Sequence, residues 1–453
     1  MQVEVIETPE LGDRSYLVHD GEQAVVIDPQ RDTGRVTELA ARLGVRVSLV
    51  AETHIHNDYV TGGLHLARGA GACYAVNAQD TVGFDRQGVR DGDTLRAGSL
   101  VISVIATPGH TPTHLSYAVT DRAAPQAPPA VFTGGSLLFG SVGRTDLTGP
   151  GRARELARAQ FRSARRLAAG LPAAATVHPT HGFGSFCSAR PSAGGAASTI
   201  GQELAGNDAL TEADERAFAT RLLAGLTPYP RYYRHIAPLN RRGPGPADLT
   251  DPPPAAPAAL GAAIAAGGWV IDLRDRAAFA ADHLAGTAGI ELSSQFATYV
   301  GWLVPWRAPL TLLGQTRDQV REAQLQLARI GIGRPAGAAI GSLDQVGAGL
   351  PRARYDRVSF AQLPAPAAGQ VILDVRAADE YARGHLPGAR HVPLADLPER
   401  LPAIPPGRLW VHCQAGYRAG IAASLLDRAG HDVVLVDDDF ARAAAARPPG
   451  RAA

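Results

Sequence analysis

The sequence predicts an α/β protein with more than one domain, and three observations lead to this prediction. The chain has 453 residues, which is too long for one ordinary hydrophobic core, so about two to four domains are expected. Strand and helix patterns alternate from residue 1 to about residue 240. After a linker at 241–257, a second α/β pattern occurs twice. We therefore expect one large α/β domain followed by two smaller ones.

The elements of the first domain follow from its apolar runs. Two alternating segments flank the Asp20-Gly21 turn, which is typical of a hairpin. The arginine-rich segment at 151–169 predicts a helix, and residues 210–225 predict another with Thr211 as its N-cap. Other short apolar runs predict strands at 45–51, 99–106, 114–119, 130–133 and 175–178.

The second half of the chain contains an internal duplication. The segment that starts at Trp269 resembles the one that starts at Val371. Aligning Asp272 with Asp374 gives an offset of 102 residues, which also matches His283 to His385. Self-similarity over this span indicates a duplicated domain. The predicted domains are 1–240, a linker at 241–257, then 258–345 and 356–453, with the seam of the duplication within 331–357.

Composition and charge exclude several function classes. Hydrophobic residues make up 45% of the chain and charged residues 19%, as in soluble globular proteins. A net charge of +1 is too small to attract a nucleic acid or an anionic membrane surface strongly, so we expect neither as a partner. Only three cysteines are present (Cys73, Cys187 and Cys413), and the start lacks a charged-then-apolar leader. The expected location is the cytoplasm, where a lone cysteine is either an inert core residue or a reactive thiol.

Histidines follow three strand ends in the first domain. His54, His56 and Asp58 come after an apolar strand, and strand alternation sends their side chains to one side. His110 and His181 each follow another strand end. This arrangement suits a metal ion and would not stabilise a packed hydrophobic core. The alternative is that one or two of these histidines are only hydrogen-bonded within a turn. The sequence therefore predicts a metal site at this edge of the domain.

These motifs resemble those of the metallo-β-lactamase fold, which implies an N-terminal αββα sandwich. The resemblance rests on the His-x-His-x-Asp loop at 54–58, the Pro-Gly-His-Thr turn at 108–111 and the His-Gly element at 181–182. Two positions depart from the family, with Tyr59 in place of a histidine and Gly135 in place of a metal-binding aspartate. A two-metal hydrolase needs both missing ligands, so it is disfavoured.

A mononuclear site remains, with three protein ligands and open positions as a catalytic metal requires. Its expected ligands are His54, His56 and His110, and Asp58 and His181 are close enough to support them.

Within this fold, the chain resembles the persulfide dioxygenases that are fused to rhodanese domains. The matching residues are Thr-His-x-His-x-Asp at 53–58, Pro-Gly-His-Thr at 108–111 and Gly-Arg-Thr-Asp at 143–146. In that family two histidines and a carboxylate hold Fe(II), which implies one Fe²⁺ per chain, with zinc or no metal as alternatives. The corresponding histidines are His54 and His110. Gly135 occupies the position of the carboxylate ligand and cannot bind the metal. Either His56 replaces that ligand to give a three-histidine site, or the carboxylate of Asp58 or Asp146 moves in to bind the metal, or the iron chemistry is lost.

Three further residues near this site have structural interpretations. His114 and His178 are expected to be hydrogen-bonded structural histidines. Cys187 is expected to be a buried thiol, with a persulfide carrier near the metal as the alternative.

Cys413 ends a predicted strand, and a predicted helix follows at 419–430. A cysteine between a buried strand and a helix N-terminus meets inward-facing backbone N–H groups and the positive end of the helix dipole. Such surroundings make the sulfur an effective nucleophile. The Gly-Tyr-Arg segment after it has no packing rationale, which favours this interpretation over a merely buried cysteine.

The C-terminal hundred residues resemble rhodanese sulfurtransferases. Cys413 and Arg418 enclose four residues, as in the sulfur-transfer class, whereas related phosphatases have five. The resemblance implies that Cys413 accepts a sulfane sulfur, and that Arg418 and the loop amides stabilise the anionic species. It also implies that Asp374, Arg376 and His385 brace the loop. The substrate-binding residues are then those of the loop, Gln414, Ala415, Gly416 and Tyr417.

The middle copy has the corresponding strand at 310–314, but no cysteine follows it. We therefore interpret it as an inactive rhodanese-like spacer or docking surface.

Three functions remain open from the sequence. The first is a sulfur-metabolism enzyme that oxidises a low-molecular-weight thiol persulfide to sulfite and transfers sulfane sulfur between thiosulfate, thiols and sulfite. The second is a zinc thioester hydrolase of the glyoxalase II type fused to a sulfurtransferase, with Asp58 aiding a metal-bound water. The third is a metal-free scaffold in which only the C-terminal sulfurtransferase is active. The resemblance also implies a homo-oligomer.

Overall fold

In the computed structural model, which describes residues 1–190, 197–363 and 369–446, the chain divides into two units. The first contains residues 1–248 and 327–332, and the second contains 249–326 and 333 onward. The break after residue 248 lies within the predicted linker. No helix in these described ranges is long and apolar enough to cross a lipid bilayer.

The first unit is built around two six-stranded sheets, one from β1 to β6 and the other from β7 to β12, each in chain order across the sheet. The strands of the first sheet are β1 (Gln2–Thr8), β2 (Asp13–His19), β3 (Gln23–Ile27), β4 (Arg46–Ala51), β5 (Cys73–Asn77) and β6 (Gln87–Val89). Those of the second are β7 (Thr94–Ala97), β8 (Leu100–Ala106), β9 (Leu115–Asp121), β10 (Ala130–Gly134), β11 (Thr176–Pro179) and β12 (Ser198–Thr199). The helices are α1 (Gly34–Leu43), α2 (Gly63–Ala70), α3 (Pro150–Gly170), α4 (Ile200–Gly206), α5 (Asp208–Thr211), α6 (Glu215–Ala224) and α7 (Tyr233–Arg242).

Alternation along the strands separates two kinds of core. Val25 and Ile27 of β3 pack between the sheets with Phe132 of β10, whereas Val26 of β3 faces α1 and α2. Val131 of β10 points the other way, into a core shared with α3 and α6. Successive side chains on a strand point to opposite faces, so each sheet has one face toward its partner sheet and one toward helices. This confirms the predicted αββα sandwich.

The predicted hairpin and strands of this unit are confirmed with small shifts at their ends. The hairpin pairs β2 with β3 in antiparallel register, with Tyr16 opposite Ile27. The predicted single helix at 210–225 with a Thr211 N-cap is wrong. Asp214 accepts hydrogen bonds from the backbone N–H groups of Arg216 and Ala217, so a new helix, α6, starts there instead. A carboxylate that satisfies two free N–H groups is the stronger N-cap.

The second unit contains two parallel sheets. One has the strand order β15-β13-β16-β17 and the other β19-β23-β22-β20-β21, and β14 pairs with β18 beside them. Its strands are β13 (Trp269–Asp272), β14 (His283–Leu284), β15 (Ala288–Gly289), β16 (Leu310–Gly314), β17 (Gly337–Ile340), β18 (Arg352–Ala353), β19 (Asp356–Val358), β20 (Gln370–Asp374), β21 (Arg390–His391), β22 (Arg408–His412) and β23 (Asp432–Val436). Its helices are α8 (Pro257–Ala265), α9 (Arg276–Ala281), α10 (Phe296–Leu303), α11 (Arg317–Arg329, whose last three residues belong to the first unit), α12 (Leu343–Val346), α13 (Ala378–Arg383), α14 (Leu397–Arg400), α15 (Tyr417–Arg428) and α16 (Ala441–Ala446). We call the part before β19 the middle lobe and the part from β19 onward the C-terminal lobe.

The two lobes repeat the same local contacts at matched positions. Asp272 pairs with the guanidinium of Arg274 at 2.6 Å, and Asp374 pairs with that of Arg376 at 2.7 Å. The imidazole of His283 stacks on Phe279 with ring centroids 4.0 Å apart, and His385 stacks on Tyr381 at 3.9 Å. Equal contacts at an offset of 102 residues support the inferred duplication.

Candidate metal and thiol sites

Loops at the ends of three strands bring histidines together in the first unit. His54 follows β4 of the first sheet, whereas His110 and His181 follow β8 and β11 of the second. Their ligand nitrogens all lie within 4.8 Å of one another, and each side chain is buried. Nε2 of His54 and Nε2 of His181 are 3.4 Å apart.

Each of these three rings is held at its Nδ1 atom. His54 Nδ1 lies 2.9 Å from the Thr53 hydroxyl, which donates its own proton to Asp28 and therefore accepts from the ring. His110 Nδ1 donates to the backbone carbonyl of Arg144 at 2.8 Å. His181 Nδ1 donates to a carboxylate oxygen of Asp13 at 2.8 Å. This pattern fixes the ring orientations and leaves the three Nε2 atoms facing a common point.

The donor set fits a metal ion. Histidine ligands of metals almost always donate their other ring N–H to a carboxylate or a carbonyl. His110 and His181 do so, and His54 donates to the Thr53 hydroxyl, which is itself held by Asp28. His110 Nε2 is buried and has no hydrogen-bond partner among the described residues. A buried polar atom without a partner is costly, and a cation at the common point would satisfy it.

The electrostatics of the three rings differ. Burial, and then the neighbouring histidines, hold the pKa of His54 and of His110 well below the ordinary value, so both rings are neutral. Burial alone would also lower the pKa of His181, but the carboxylates of Asp58 and Asp13 outweigh it and raise this pKa to about 10. A metal would replace the proton that His181 otherwise carries.

His56, predicted as a ligand with His54 and His110, has its ring centroid 4.1 Å from that of His54, and its Nδ1 is buried without a hydrogen-bond partner among the described residues. Its Nε2 lies 3.2 Å from an oxygen of Asp28, 3.3 Å from an oxygen of Glu52 and 2.9 Å from the Tyr59 hydroxyl. Burial opposes protonation, but the two carboxylates raise the pKa of His56 to about 9. His56 does belong to two other potential ligand groups, one with Asp28 and His54 and one with Asp58 and His181. The trio predicted from sequence is not among the groups formed by the described residues.

The two carboxylates considered as substitutes have other partners. Asp58 lies 3.2 Å from Nδ1 of His181. Asp146 forms a bidentate ion pair with Arg144 at 2.7 and 2.8 Å, and the Arg144 backbone in turn holds His110. Asp146 therefore acts on His110 from outside the cluster, whereas Asp58 shares a potential ligand group with His56 and His181.

Gly135 leaves the space that the His110 ring occupies. A Cβ atom at Gly135 would lie 2.3 Å from Cδ2 and 2.5 Å from Cγ of His110. The ring also lies close to Gly143, where a Cβ would lie 2.6 Å from Nδ1. Any side chain at position 135 would displace this imidazole, so the missing aspartate and the position of His110 are linked.

The other residues near this site have the expected structural roles. His114 Nε2 accepts a hydrogen bond from the Gly135 N–H at 3.0 Å, and His178 stacks on Phe132 with centroids 5.0 Å apart. Cys187 is a buried free thiol, and burial, followed by the charge of Asp58, raises its pKa well above the ordinary value.

The sequence reasoning did not single out Asp13, Asp28 or Glu52. Asp28 directly follows the apolar strand β3, which was a usable signal, because strand ends carry the other site residues. Glu52 sits directly after β4 and could have been found in the same way. Asp13 starts β2 and is distant in sequence from His181, so no local pattern identifies it.

In the C-terminal lobe, Cys413 lies between β22 and α15. Its side chain is 2% exposed. Gly416 has φ 88°, and a Cβ there would lie 1.9 Å from a carboxylate oxygen of Asp437, so only glycine fits this turn. The guanidinium of Arg418 forms a bidentate pair with Glu380 at 2.5 and 2.8 Å. Glu380 was not identified from the sequence, and it fixes the arginine that closes the loop.

Comparisons with known proteins agree with both halves of the chain. The metallo-beta-lactamase superfamily pattern matches residues 10–181, and the rhodanese-like domain pattern matches residues 360–446. Human mitochondrial persulfide dioxygenase ETHE1 is 28% identical over 232 residues, which are 50% of this chain and 83% of that protein. A probable metallo-hydrolase of Burkholderia pseudomallei (strain 1710b) is 34% identical over 221 residues, 40% of this chain and 73% of that protein. The crystal structure of a metallo-beta-lactamase from Staphylococcus aureus subsp. aureus COL has a TM-score of 0.67 and 27% identity, and covers 76% of this chain and 99% of its own.

Proposed function

The chain belongs to the metallo-β-lactamase superfamily and carries a C-terminal rhodanese domain, and from this premise we propose an enzyme of sulfur metabolism with two linked activities. The first domain oxidises a low-molecular-weight thiol persulfide, and the C-terminal lobe transfers sulfane sulfur through Cys413. Persulfide, dioxygen and water give thiol, sulfite and two protons, so that the outer sulfur takes up all three oxygens.

For the first activity, side chains of the first domain would hold a single metal ion. We assign His54, His110 and His181 as the ligands, with His181 in place of His56. Fe²⁺ held by three protein ligands would supply open coordination positions and redox chemistry for dioxygen and a thiol persulfide. Thr53, Asp13 and the Arg144 carbonyl hold the Nδ1 protons, so each ring offers its Nε2 lone pair inward.

The second activity moves sulfur without a metal. The Cys413 sulfur attacks the outer sulfur of thiosulfate, the S–S bond breaks, and sulfite leaves with the electron pair. An acceptor thiolate then attacks the outer sulfur of the Cys413 persulfide and restores the free thiolate. The loop amides at 414–417 and the Arg418 guanidinium, held by Glu380, stabilise the anionic groups.

The two activities share chemical species. A persulfide made by sulfur transfer is the substrate of the oxidation, and sulfite from the oxidation is an acceptor for sulfur on Cys413. Joining both sites on one chain raises the local concentration of the shared species.

The observation that supports the metal site of the oxidation half is the orphaned, buried Nε2 of His110 close to ligand nitrogens of two other histidines, and the similarity to persulfide dioxygenase ETHE1 supports oxidation at that site. The test measures metal content and oxygen consumption of freshly purified protein supplied with glutathione persulfide. We expect about one iron per chain and one sulfite formed per dioxygen consumed. Iron-loaded protein that consumes no oxygen would refute the proposal.

A zinc-dependent thioester hydrolase is the second candidate for the first domain. Three imidazoles with an open fourth position suit catalytic zinc, and the Burkholderia relative bears the name of a metallo-hydrolase. Bound zinc, hydrolysis of S-lactoylglutathione and no oxygen uptake would support it. Protein that binds no metal yet cleaves thiosulfate would instead support the scaffold interpretation.

A further inference from the structure

The middle lobe contacts the Cys413 loop through Tyr417. This residue ends the loop and begins α15, and its hydroxyl donates to the backbone carbonyl of Glu291 at 2.9 Å. The same hydroxyl accepts a hydrogen bond from Ser293 at 2.9 Å. Its ring lies 5.6 Å from that of Tyr299 on α10. Three residues of the middle lobe therefore hold one loop residue of the C-terminal lobe.

A second contact holds the loop at Gly416. Arg276 of the middle lobe donates through Nε to Asp437 at 2.8 Å and through a terminal nitrogen to Glu291 at 2.9 Å. The Asp437 oxygen that accepts this bond occupies the position where a Gly416 side chain would be. The aliphatic part of Arg276 lies against Gly420 in the same way, 2.9 Å from the position of its Cβ. The loop backbone thus packs directly on the Arg276–Asp437 ion pair.

The loop is short, so these contacts determine where its amides point. Only four residues separate Cys413 from Arg418, and Gly416 in the middle of them has a left-handed φ of 88°. Release of either contact would let this turn relax. A shift of about 1 Å in a catalytic group can lower a rate by about a hundredfold.

The surroundings of Tyr299 also connect the lobes. Burial raises the pKa of Tyr299 to about 12, and the charges of Cys413 and Glu380 add to it while Arg418 opposes it. The hydroxyl therefore stays protonated at neutral pH and lies within electrostatic reach of the thiol. A spacer or docking surface, as expected from the sequence, would need none of these contacts.

We propose that the middle lobe positions the Cys413 loop through two contacts, Tyr417 with Glu291 and Ser293, and Gly416 with the Arg276–Asp437 pair. The residues of the middle lobe act through the loop and are positioning residues. This inference rests on the proposed sulfur transfer at Cys413. It gives the cysteine-free copy a role in the rate of that reaction.

The test compares Tyr417→Phe, Arg276→Met and Arg276→Lys in the full chain. The control is Arg352→Gln, which breaks an ion pair with Asp282 elsewhere on the middle lobe. Two assays are run. The first gives kcat and KM for thiosulfate with cyanide as acceptor, and the second gives the rate at which iodoacetamide alkylates Cys413, followed by mass spectrometry of its peptide. The second needs no sulfur transfer and separates Cys413 from the other two cysteines.

We expect kcat to fall about tenfold or more in Tyr417→Phe and Arg276→Met, with KM changed less than about twofold, and alkylation to slow in parallel. Arg276→Lys should recover part of both losses, and the control should match the wild type. Wild-type kcat and alkylation in Tyr417→Phe would overturn the inference, and so would a rise in KM alone. If Arg276→Met does not fold, Tyr417→Phe decides, because it removes only a hydroxyl. If the wild type cleaves no thiosulfate, the proposed function fails, and the alkylation rates still decide the positioning role.

Discussion

Alanine at position 135 should weaken metal binding, because its methyl group would occupy the space of the His110 ring. The new Cβ would lie 2.3 Å from Cδ2 of His110, whereas ordinary contacts begin at 3.4 Å. The ring would have to move by about 1 Å. Gly143 also lies beside this ring, since a Cβ there would be 2.6 Å from Nδ1 of His110.

The size of the effect follows from this displacement. Metal–ligand distances tolerate deviations of about 0.2 Å, so a shift of about 1 Å removes His110 as a ligand or forces strain on the loop. Overpacking of this kind costs about 1–3 kcal/mol. If that cost falls on the metal-bound state, the affinity for metal falls about 5- to 150-fold, since about 1.4 kcal/mol corresponds to a factor of ten.

The assay is metal retention in the presence of a competing chelator, measured by elemental analysis. Gly151→Ala is the matched control, because a Cβ at Gly151 meets nothing within 4 Å. Gly135→Asp should also lose metal, although it restores the carboxylate of the family, since it has the same Cβ. Retention of metal by Gly135→Ala at wild-type affinity would refute the assignment of His110.

Three further predictions concern single side chains. His181→Gln should lower the affinity for metal at least about tenfold, whereas folded His56→Gln should keep its metal. His56→Gln should instead lower the free energy of unfolding by about 3 kcal/mol or more, because Asp28 and Glu52 lose their buried partner. Elemental analysis and urea unfolding distinguish these outcomes, and metal loss in His56→Gln with metal retained in His181→Gln would contradict the ligand assignment. Burial lowers the pKa of His178 to about 4, below its unfolded value near 6.5, so between these values the unfolded chain binds a proton that the folded chain does not. The free energy of unfolding is therefore unaffected by this group above pH 6.5 and falls by up to about 3 kcal/mol as the pH drops to 4. His178→Phe should remove that part of the acid sensitivity in unfolding measured from pH 7 to 4, and an unchanged pH dependence would count against it. Cys413→Ser should abolish thiosulfate cleavage and leave persulfide-dependent oxygen consumption intact, and loss of both would show that the two activities are not separable.

Strand ends were the most informative feature of the sequence. The apolar run at 45–51 correctly predicted that a loop with His54 and His56 opens where a buried strand stops. It could not predict which way each ring turns. His56 faces Asp28 and Glu52, because those carboxylates are buried beside it, and this arrangement depends on the contact between β3 and β4 rather than on spacing.

Long-range contacts also explain the remaining differences. Asp13 pairs with His181 across 168 residues, so no short motif links them. The middle lobe looked like a spacer because it lacks a cysteine. Its contacts with the Cys413 loop come from Arg276 and from the segment after β15, neither of which belongs to a catalytic motif.

The three imidazoles come from both halves of the sandwich, with His54 on the first sheet and His110 and His181 on the second. A bound cation would act as a cross-link between the sheets at one edge. Because an ion that binds only the native state adds RT ln(1 + [L]/Kd) to its stability, heating curves at increasing metal concentration would give the dissociation constant without any turnover. A shift of the melting temperature with iron or zinc that disappears in His110→Ala would locate the cross-link at this edge.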